Sequence, residues 1–114
     1  MPNYILFLRD QQGQFDRISP AEMEAIIARY LAWRNAVEAK GHTITGEKLQ
    51  DGTGRVLRPG RPATDGPFTE AKEVMGGFFL VSAAGYDEAV AIAASCPHAE
   101  FGSIEVREVE PTPA

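Results

Sequence analysis

Four ionisable side chains stand close together in the stretch ATDGPFTEAKEVMGGFF, residues 63–79. They are Asp65, Glu70, Lys72 and Glu73. A carboxylate here could act as a general base or bind a cationic group, which makes Asp65 and Glu70 candidate catalytic residues. Lys72 could pair with either carboxylate and face an anionic ligand. The structural alternative is that Asp65, before a Gly-Pro pair, forms an Asx turn and that the charges after it are a solvated surface.

A group of arginines precedes this stretch, with Arg55, Arg58 and Arg61 in seven residues of a chain whose net charge is -5. Guanidinium groups bind carboxylates and phosphates through paired hydrogen bonds, so Arg58 and Arg61 are candidate ligands for a small anionic molecule. Solvation of a loop is the alternative explanation. The acidic balance predicts no direct binding to nucleic acid.

His98 is a candidate proton carrier, because imidazole titrates near neutral pH. Cys96 precedes it by two positions, but a Cys-x-His pair lacks the three or four ligands of a zinc site. We therefore predict no metal, and no cofactor, since Gly76-Gly77 does not resemble a phosphate loop. Cys96 should lie at the C-terminal end of a helix, where a buried and inert thiol is expected.

Two helices are indicated. The first begins with the capping box Ser19-Pro20-Ala21-Glu22, continues with apolar residues at helical spacing to Val37, and ends near Gly41. The second runs through YDEAVAIAASC and stops at Pro97; its buried stripe is predicted to be Ala89, Val90, Ile92 and Ala93.

Strands are predicted at YILFL, HTITGEKL, Arg55–Arg58, GFFLVSA and SIEVREV. The chain thus reads as a strand, a helix, two or three strands, a helix and a strand. With two strands between the helices in the main sheet, the order βαββαβ predicts a ferredoxin-like α+β sandwich, with an antiparallel sheet and both helices on one face. Residues 1–110 should form one domain, with 111–114 as a flexible tail. With no signal peptide and no membrane-spanning run, we expect a cytoplasmic protein that does not contact membranes.

The two predicted central strands, Tyr4–Leu8 and Phe78–Ala83, are apolar on both faces. Two helices can cover only one face of a four-stranded sheet, so the other face should be polar unless it has a partner. We therefore predict a homodimer packed sheet against sheet.

The motif Asp65-Gly66-Pro67-Phe68, followed by an acid, a lysine, a second acid and the pair Gly76-Gly77, resembles the DGPF subgroup of the YCII-related (YciI-like) family. The resemblance extends to the strand YILFL, the helix cap SPAEM and the final strand GSIEVREV. It implies a ferredoxin-like dimer related to the dimeric α/β-barrel proteins, among them muconolactone isomerase and chloromuconolactone dehalogenase. Members are often encoded beside extracytoplasmic-function sigma factors, which suggests a regulatory setting.

Other YciI-like proteins carry a histidine in the first helix and an aspartate before the proline that ends the second, a proposed acid–base pair. This chain has no histidine in its first helix, and Cys96 precedes Pro97. The leading expectation is therefore a homodimer that binds a small anionic ligand or a partner in a cleft lined by the DGPF loop. The alternative is an isomerase, lyase or dehalogenase in which Asp65, Glu70 or His98 moves protons.

Overall fold

The structure is a computed structural model that describes residues 1–11, 13–66 and 73–112. The predicted site residues Glu70 and Lys72, and the last two residues of the predicted tail, lie outside the described residues. The elements are β1 (Asn3–Gln11), α1 (Pro20–Ala39), β2 (Ile44–Lys48), β3 (Arg55–Val56), β4 (Thr64–Asp65), β5 (Glu73–Ser82), α2 (Tyr86–Ala94), a 3-10 helix (Pro97–Glu100) and β6 (Ser103–Glu108).

The main sheet has four strands in the order β2-β5-β1-β6, and every neighbouring pair is antiparallel. The central strands are β1 and β5, as their continuous apolar sequences predict, and the mixed strands β2 and β6 lie at the edges. The chain is thus an α+β protein with a mostly antiparallel sheet. The strand predicted at Arg55–Arg58 is shorter than expected and pairs with β4 in a separate two-stranded ribbon.

The core lies on the helix-covered face of the sheet. Alternate residues of β1, namely Tyr4, Leu6 and Leu8, are buried there, because successive side chains of a strand point to opposite faces. They belong to one cluster with Trp33 and Val37 of α1 and with three residues of α2. Burial of each large apolar side chain contributes roughly 1.5–3 kcal/mol, so this layer fixes both helices on one face.

The capping box predicted for α1 is present, since Ser19 Oγ accepts a hydrogen bond from the Glu22 amide at 3.1 Å. Only Trp33 and Val37 of this helix are buried, and both lie in its second half. Trp33 is held by a 2.9 Å hydrogen bond from Nε1 to Ser95 Oγ. The first half of α1 therefore does not pack closely on the sheet, although its apolar residues follow the same helical spacing.

The second helix ends at Ala94, two residues earlier than predicted, and Pro97 starts the 3-10 helix instead of only stopping α2. The prediction that Val90 belongs to the buried stripe is wrong, since Val90 is 51% exposed. Ala89, Ile92 and Ala93 are buried because positions three and four apart share a helix face. Val90 is rotated by about 100° from Ala89 around the helix axis and so lies outside this face. Within the described residues, neither helix has the length and apolar character to cross a membrane.

A β-bulge interrupts the pairing of β1 with β5. Leu8 lies opposite Gly77 and Arg9 lies opposite Met75, so Gly76 is the extra residue. A Cβ atom at Gly76 would lie 2.9 Å from Oδ2 of Asp10, which is closer than real Cβ contacts. Glycine at the bulge therefore admits the Asp10 carboxylate beside the strand.

The second face of the sheet carries the odd-numbered apolar residues of β1. Ile5 lies opposite Leu80, Phe7 lies opposite Phe78, and all four are partly exposed. We call these four residues the open face. The homodimer predicted from this face stays a prediction.

Candidate functional site

A cavity of about 240 Å³ lies between the sheet and the part of α1 from Met23 to Arg34. Its walls are mainly apolar and include Met23, Ile26 and Leu31 of α1 together with Phe15 and Phe79. Asp10, Tyr30 and His98 also line it, together with Glu47 and Lys48. We call this space the Tyr30–His98 cavity, and its combination of apolar walls with a few polar groups is typical of small-molecule sites.

Three glycines leave room for the cavity on its sheet side: Gly46, Gly76 and Gly77. A Cβ atom at Gly77 would lie 2.8 Å from the Glu47 carbonyl oxygen, and one at Gly46 would collide with Phe79. Because these positions have no side chains, the sheet offers little for the first half of α1 to pack against. The Gly76-Gly77 pair therefore borders the site. From the sequence, no role in a site was predicted for the pair, because it does not resemble a phosphate loop.

His98 is the most buried of the polar groups in the cavity, with 3% of its surface exposed. The 3-10 helix that begins at Pro97 brings its imidazole between β1 and α1. Nε2 lies 2.8 Å from the Arg9 carbonyl oxygen, and Nδ1 lies 3.1 Å from the hydroxyl oxygen of Tyr30. His98, which the sequence indicated as a candidate residue, thus lies in a polar cluster. Both of its ring nitrogens have hydrogen-bond partners there.

Tyr30 supplies the only hydroxyl among the described residues that line this cavity. Burial raises the pKa of Tyr30 above its ordinary value, and the nearby Cys96 and Asp10 raise it further. The side chain is therefore a neutral phenol that donates or accepts hydrogen bonds. Tyr30 was not predicted as a site residue, because nothing local in the sequence indicates a contact 68 positions away.

Asp10 lies where β1 passes the bulge. Burial raises the pKa of its carboxyl group and the nearby Asp51 raises it further, while His98 and Lys48 partly oppose this. Among the ion pairs of the described residues, none involves Asp10. Sequence reasoning missed this residue because the strand prediction ended at Leu8. The available signal was its position, which continues the buried alternation of Tyr4, Leu6 and Leu8.

Two cationic side chains, Arg34 and Lys48, also line the cavity and remain partly open to solvent. Arg34 donates to the Ile44 carbonyl and lies 3.8 Å from Glu38. Lys48 Nζ lies 3.3 Å from Asp51. Such exposed pairs are weak, so both cations can reorient toward an anionic group at the cavity mouth.

Three further predicted site residues, Asp65, Arg58 and Arg61, lie on the β3–β4 ribbon and its loop. Asp65 is in β4, with its side chain 92% exposed and Oδ1 3.6 Å from Arg55 Nε. Arg58 donates to the Thr64 hydroxyl at 3.5 Å, and Arg61 is exposed. None of these three side chains lines the Tyr30–His98 cavity as far as the structure is described. Of the predicted site residues that the structure describes, His98 alone lines this cavity.

A second, more polar cavity of about 500 Å³ lies beside the first and shares Asp10 and Phe15 with it. It is bounded by the loop 49–54, by the end of β1 and by Glu73 at the start of β5. Asp10 thus stands between the two spaces. The DGPF stretch of the sequence leads directly into Glu73.

Metal and thiol chemistry receive little support. In residues 1–11, 13–66 and 73–112, no three side chains of His, Cys, Asp or Glu cluster closely enough to hold a metal ion. Cys96 is buried, and burial raises the pKa of its thiol to about 11. The prediction of a buried, inert thiol is confirmed for its burial, and the raised pKa keeps the thiolate scarce at neutral pH.

A sequence model of the YCII-related domain matches residues 3–113, which is nearly the whole chain. No curated protein matches the sequence.

Proposed function

We propose, for a chain that belongs to the YCII-related family, that the Tyr30–His98 cavity binds a small organic molecule with an apolar body and one anionic group. The observation that carries this proposal is the presence of Asp10, Tyr30 and His98 in an otherwise largely apolar cavity. Burying polar groups costs free energy unless they are hydrogen-bonded, and a largely apolar cavity with a few converging polar groups is the usual form of a small-molecule site.

The anionic group of this ligand is proposed from the cations at the cavity mouth. Arg34 and Lys48 are the lining residues able to pair with a carboxylate or phosphate, and their present partners are exposed acids. The DGPF loop remains a proposed second wall of the site. Its support is that the motif ends at Glu73, which lines the neighbouring cavity shared with Asp10.

The test is a thermal-shift screen of aromatic and alicyclic carboxylates, followed by NMR titration of the ligands that raise the melting temperature. A ligand that binds only the folded protein at one hundred times its Kd stabilises it by about 2.7 kcal/mol. We expect chemical-shift changes at Met23, Tyr30 and Phe79. Changes confined to the β3–β4 ribbon, or no stabilisation by any carboxylate, would contradict the proposed cavity.

A matched pair of variants tests whether the carboxylate binds in the Tyr30–His98 cavity. Tyr30→Phe removes the hydroxyl that lines the cavity, whereas Tyr86→Phe removes one that accepts a hydrogen bond from the Glu108 amide elsewhere on the surface. We expect only Tyr30→Phe to change the affinity of a bound carboxylate.

An enzymatic role is the second candidate, favoured by the state of Asp10. A carboxylate with a raised pKa and no ion pair in the described chain is suited to take a proton from carbon or oxygen. Tyr30 and His98 lie in the same cavity as this carboxylate. This chemistry fits an isomerase, a lyase or a dehalogenase, with Asp10 as base in place of the sequence candidates Asp65 and Glu70.

The enzymatic proposal is tested by hydrogen exchange in deuterated water. Each carboxylate that binds is incubated with the protein, and loss of its C–H signals is followed by proton NMR. Asp10→Asn should bind the same molecule but abolish exchange. Exchange that persists in this variant would exclude Asp10 as the base, and no exchange with any bound ligand leaves the binding proposal in place.

We further propose that two chains form a homodimer with the open faces of their sheets in contact, in the manner of a dimeric α/β barrel with ferredoxin-like subunits. The support is that Ile5, Phe7, Phe78 and Leu80 are partly exposed on the face away from the helices. Each of these side chains would gain roughly 1.5–3 kcal/mol from complete burial, and part of that gain remains available.

A further inference from the structure

The donor and the acceptor in each hydrogen bond of His98 can be assigned from the backbone carbonyl that it contacts. The Arg9 carbonyl oxygen can only accept, so the His98 nitrogen 2.8 Å away, Nε2, must carry a proton. In a neutral imidazole the other nitrogen, Nδ1, then has none and acts as an acceptor. The Tyr30 hydroxyl, 3.1 Å from Nδ1, must therefore donate its hydrogen to His98.

This direction decides what the cavity offers to a ligand. With its hydrogen committed to His98, the Tyr30 oxygen presents only lone pairs to the cavity. An ionised Asp10 likewise presents only acceptors. We infer that this end of the Tyr30–His98 cavity selects a ligand group that donates hydrogen bonds, a hydroxyl or an ammonium, and rejects a carboxylate, an ether or a carbonyl there.

The inference rests on the proposed function and narrows its ligand class. Arg34 and Lys48 favour an anionic group, whereas Tyr30 and Asp10 favour a group that donates hydrogen bonds. Apolar residues such as Met23 and Phe79 lie along the walls. The class that satisfies all three conditions is a hydroxy acid or an amino acid with an apolar body.

The local packing of the 3-10 helix keeps the two hydrogen bonds of His98 in place. Gly102 returns the chain to the sheet with its amide hydrogen-bonded to the His98 carbonyl at 3.0 Å. A Cβ atom at position 102 would lie 3.0 Å from His98 Nε2 and would also collide with the Arg9 carbonyl oxygen. Only glycine allows the histidine ring and this carbonyl to approach each other. The backbone at position 102 therefore permits the contact that fixes the proton of His98 on Nε2.

Three probes with the same body test the ligand class: the 4-hydroxymethyl, 4-methoxymethyl and 4-formyl derivatives of cyclohexanecarboxylate. Their affinities for the wild-type protein are measured by NMR titration. We expect the hydroxymethyl probe to bind about tenfold more tightly than the other two, because only it donates a hydrogen bond. Equal or tighter binding of the methoxymethyl or formyl probe would overturn the inference. If no probe shifts the cavity signals, the proposed function fails, and the inference with it.

Asp10→Asn supplies a sharper variant, because its amide adds a donor at nearly constant size. We expect this variant to reduce the preference for the hydroxymethyl probe over the formyl probe by at least about threefold. Asp87→Asn, in the first turn of α2, is the matched control and should leave the preference unchanged. An unchanged preference in Asp10→Asn would contradict the assignment of Asp10 as an acceptor for the ligand.

The tautomer of His98 can be read directly, whether or not a ligand binds. Long-range proton–nitrogen NMR spectra at a pH where both imidazoles are neutral should show His98 protonated at Nε2. His42 provides an internal reference of opposite sense, since its Nδ1 lies 2.9 Å from the Ser82 carbonyl oxygen and should carry the proton. A proton on Nδ1 of His98 would overturn the inference and leave the proposed binding cavity intact.

Discussion

The hydroxyl of Tyr30 donates a 3.1 Å hydrogen bond to Nδ1 of His98, joining two residues 68 positions apart in the chain. The bond connects α1 to the 3-10 helix beside the cavity. Tyr30→Phe should therefore leave a buried ring nitrogen without its donor and lower the free energy of unfolding by about 1–3 kcal/mol. Urea denaturation of the wild type and the variant measures this difference.

Tyr86→Phe is the control for this stability measurement. Its hydroxyl accepts a hydrogen bond from an exposed amide, which water can replace, so the loss should stay below about 1 kcal/mol. If Tyr30→Phe were no more destabilised than Tyr86→Phe, the Tyr30–His98 bond would contribute nothing to stability.

The carboxyl group of Asp10 should make stability depend on pH. Because burial raises the pKa of Asp10 in the folded protein, the folded chain holds this proton more tightly than the unfolded chain does. Its contribution to the free energy of unfolding therefore falls as the pH rises between the unfolded and folded pKa values, and stays lower above them. Asp10→Asn should be more stable than the wild type at neutral pH, and the gain should disappear near about pH 3.

Denaturation at these two pH values tests the prediction, with Asp87→Asn as the control. Asp87 lies in the first turn of α2, where a negative charge favours the helix, so this replacement should destabilise at neutral pH by about 0.3–1 kcal/mol. The same sign of change for both variants at neutral pH would contradict the role given to burial of Asp10.

The proposed homodimer predicts opposite results for charges on the two sides of the molecule. Phe78→Glu places a carboxylate on the open face, opposite Phe7 and next to Glu47 in the sheet. We expect it to convert dimers into folded monomers in sedimentation velocity at micromolar concentration. Val90→Glu, on the exposed side of α2, should stay dimeric. A wild-type protein that sediments as a monomer would remove the basis of the proposal.

The DGPF motif is tested by separating stability from binding. Asp65 is exposed and pairs loosely with Arg55, so Asp65→Asn should change the free energy of unfolding by no more than about 0.5 kcal/mol. Lys72→Met should fold equally well and weaken binding of a carboxylate ligand, if the proposed role of Lys72 as an anion-binding group is correct. Should both variants bind that ligand as tightly as the wild type, the motif is structural.

The sequence predicts those parts of the fold that depend on local signals. The start of α1 follows from the side chain of Ser19, and the central position of β1 follows from its uninterrupted apolar run. The bulge at Gly76 could not be predicted in this way, because a glycine pair fits several backbone arrangements. Without the bulge, the place of Asp10 beside the cavity could not be inferred.

The site was less predictable than the fold because its contacts are distant in sequence. His98 was found by its chemistry, as one of two histidines. Its partner Tyr30 was not, since a tyrosine at helical spacing is usually a packing residue. Their contact depends on the 3-10 helix after Pro97, where the sequence indicated only the end of α2.

The pairing of β1 with both β5 and β6 has a consequence for the order in which the protein is made. β1 emerges from the ribosome before its two neighbours in the sheet, which come from residues 73–108. Until those residues have been synthesised, β1 has two unpaired edges and an apolar sequence, a combination that favours aggregation. Nascent chains that stall before β5 should therefore depend on chaperones.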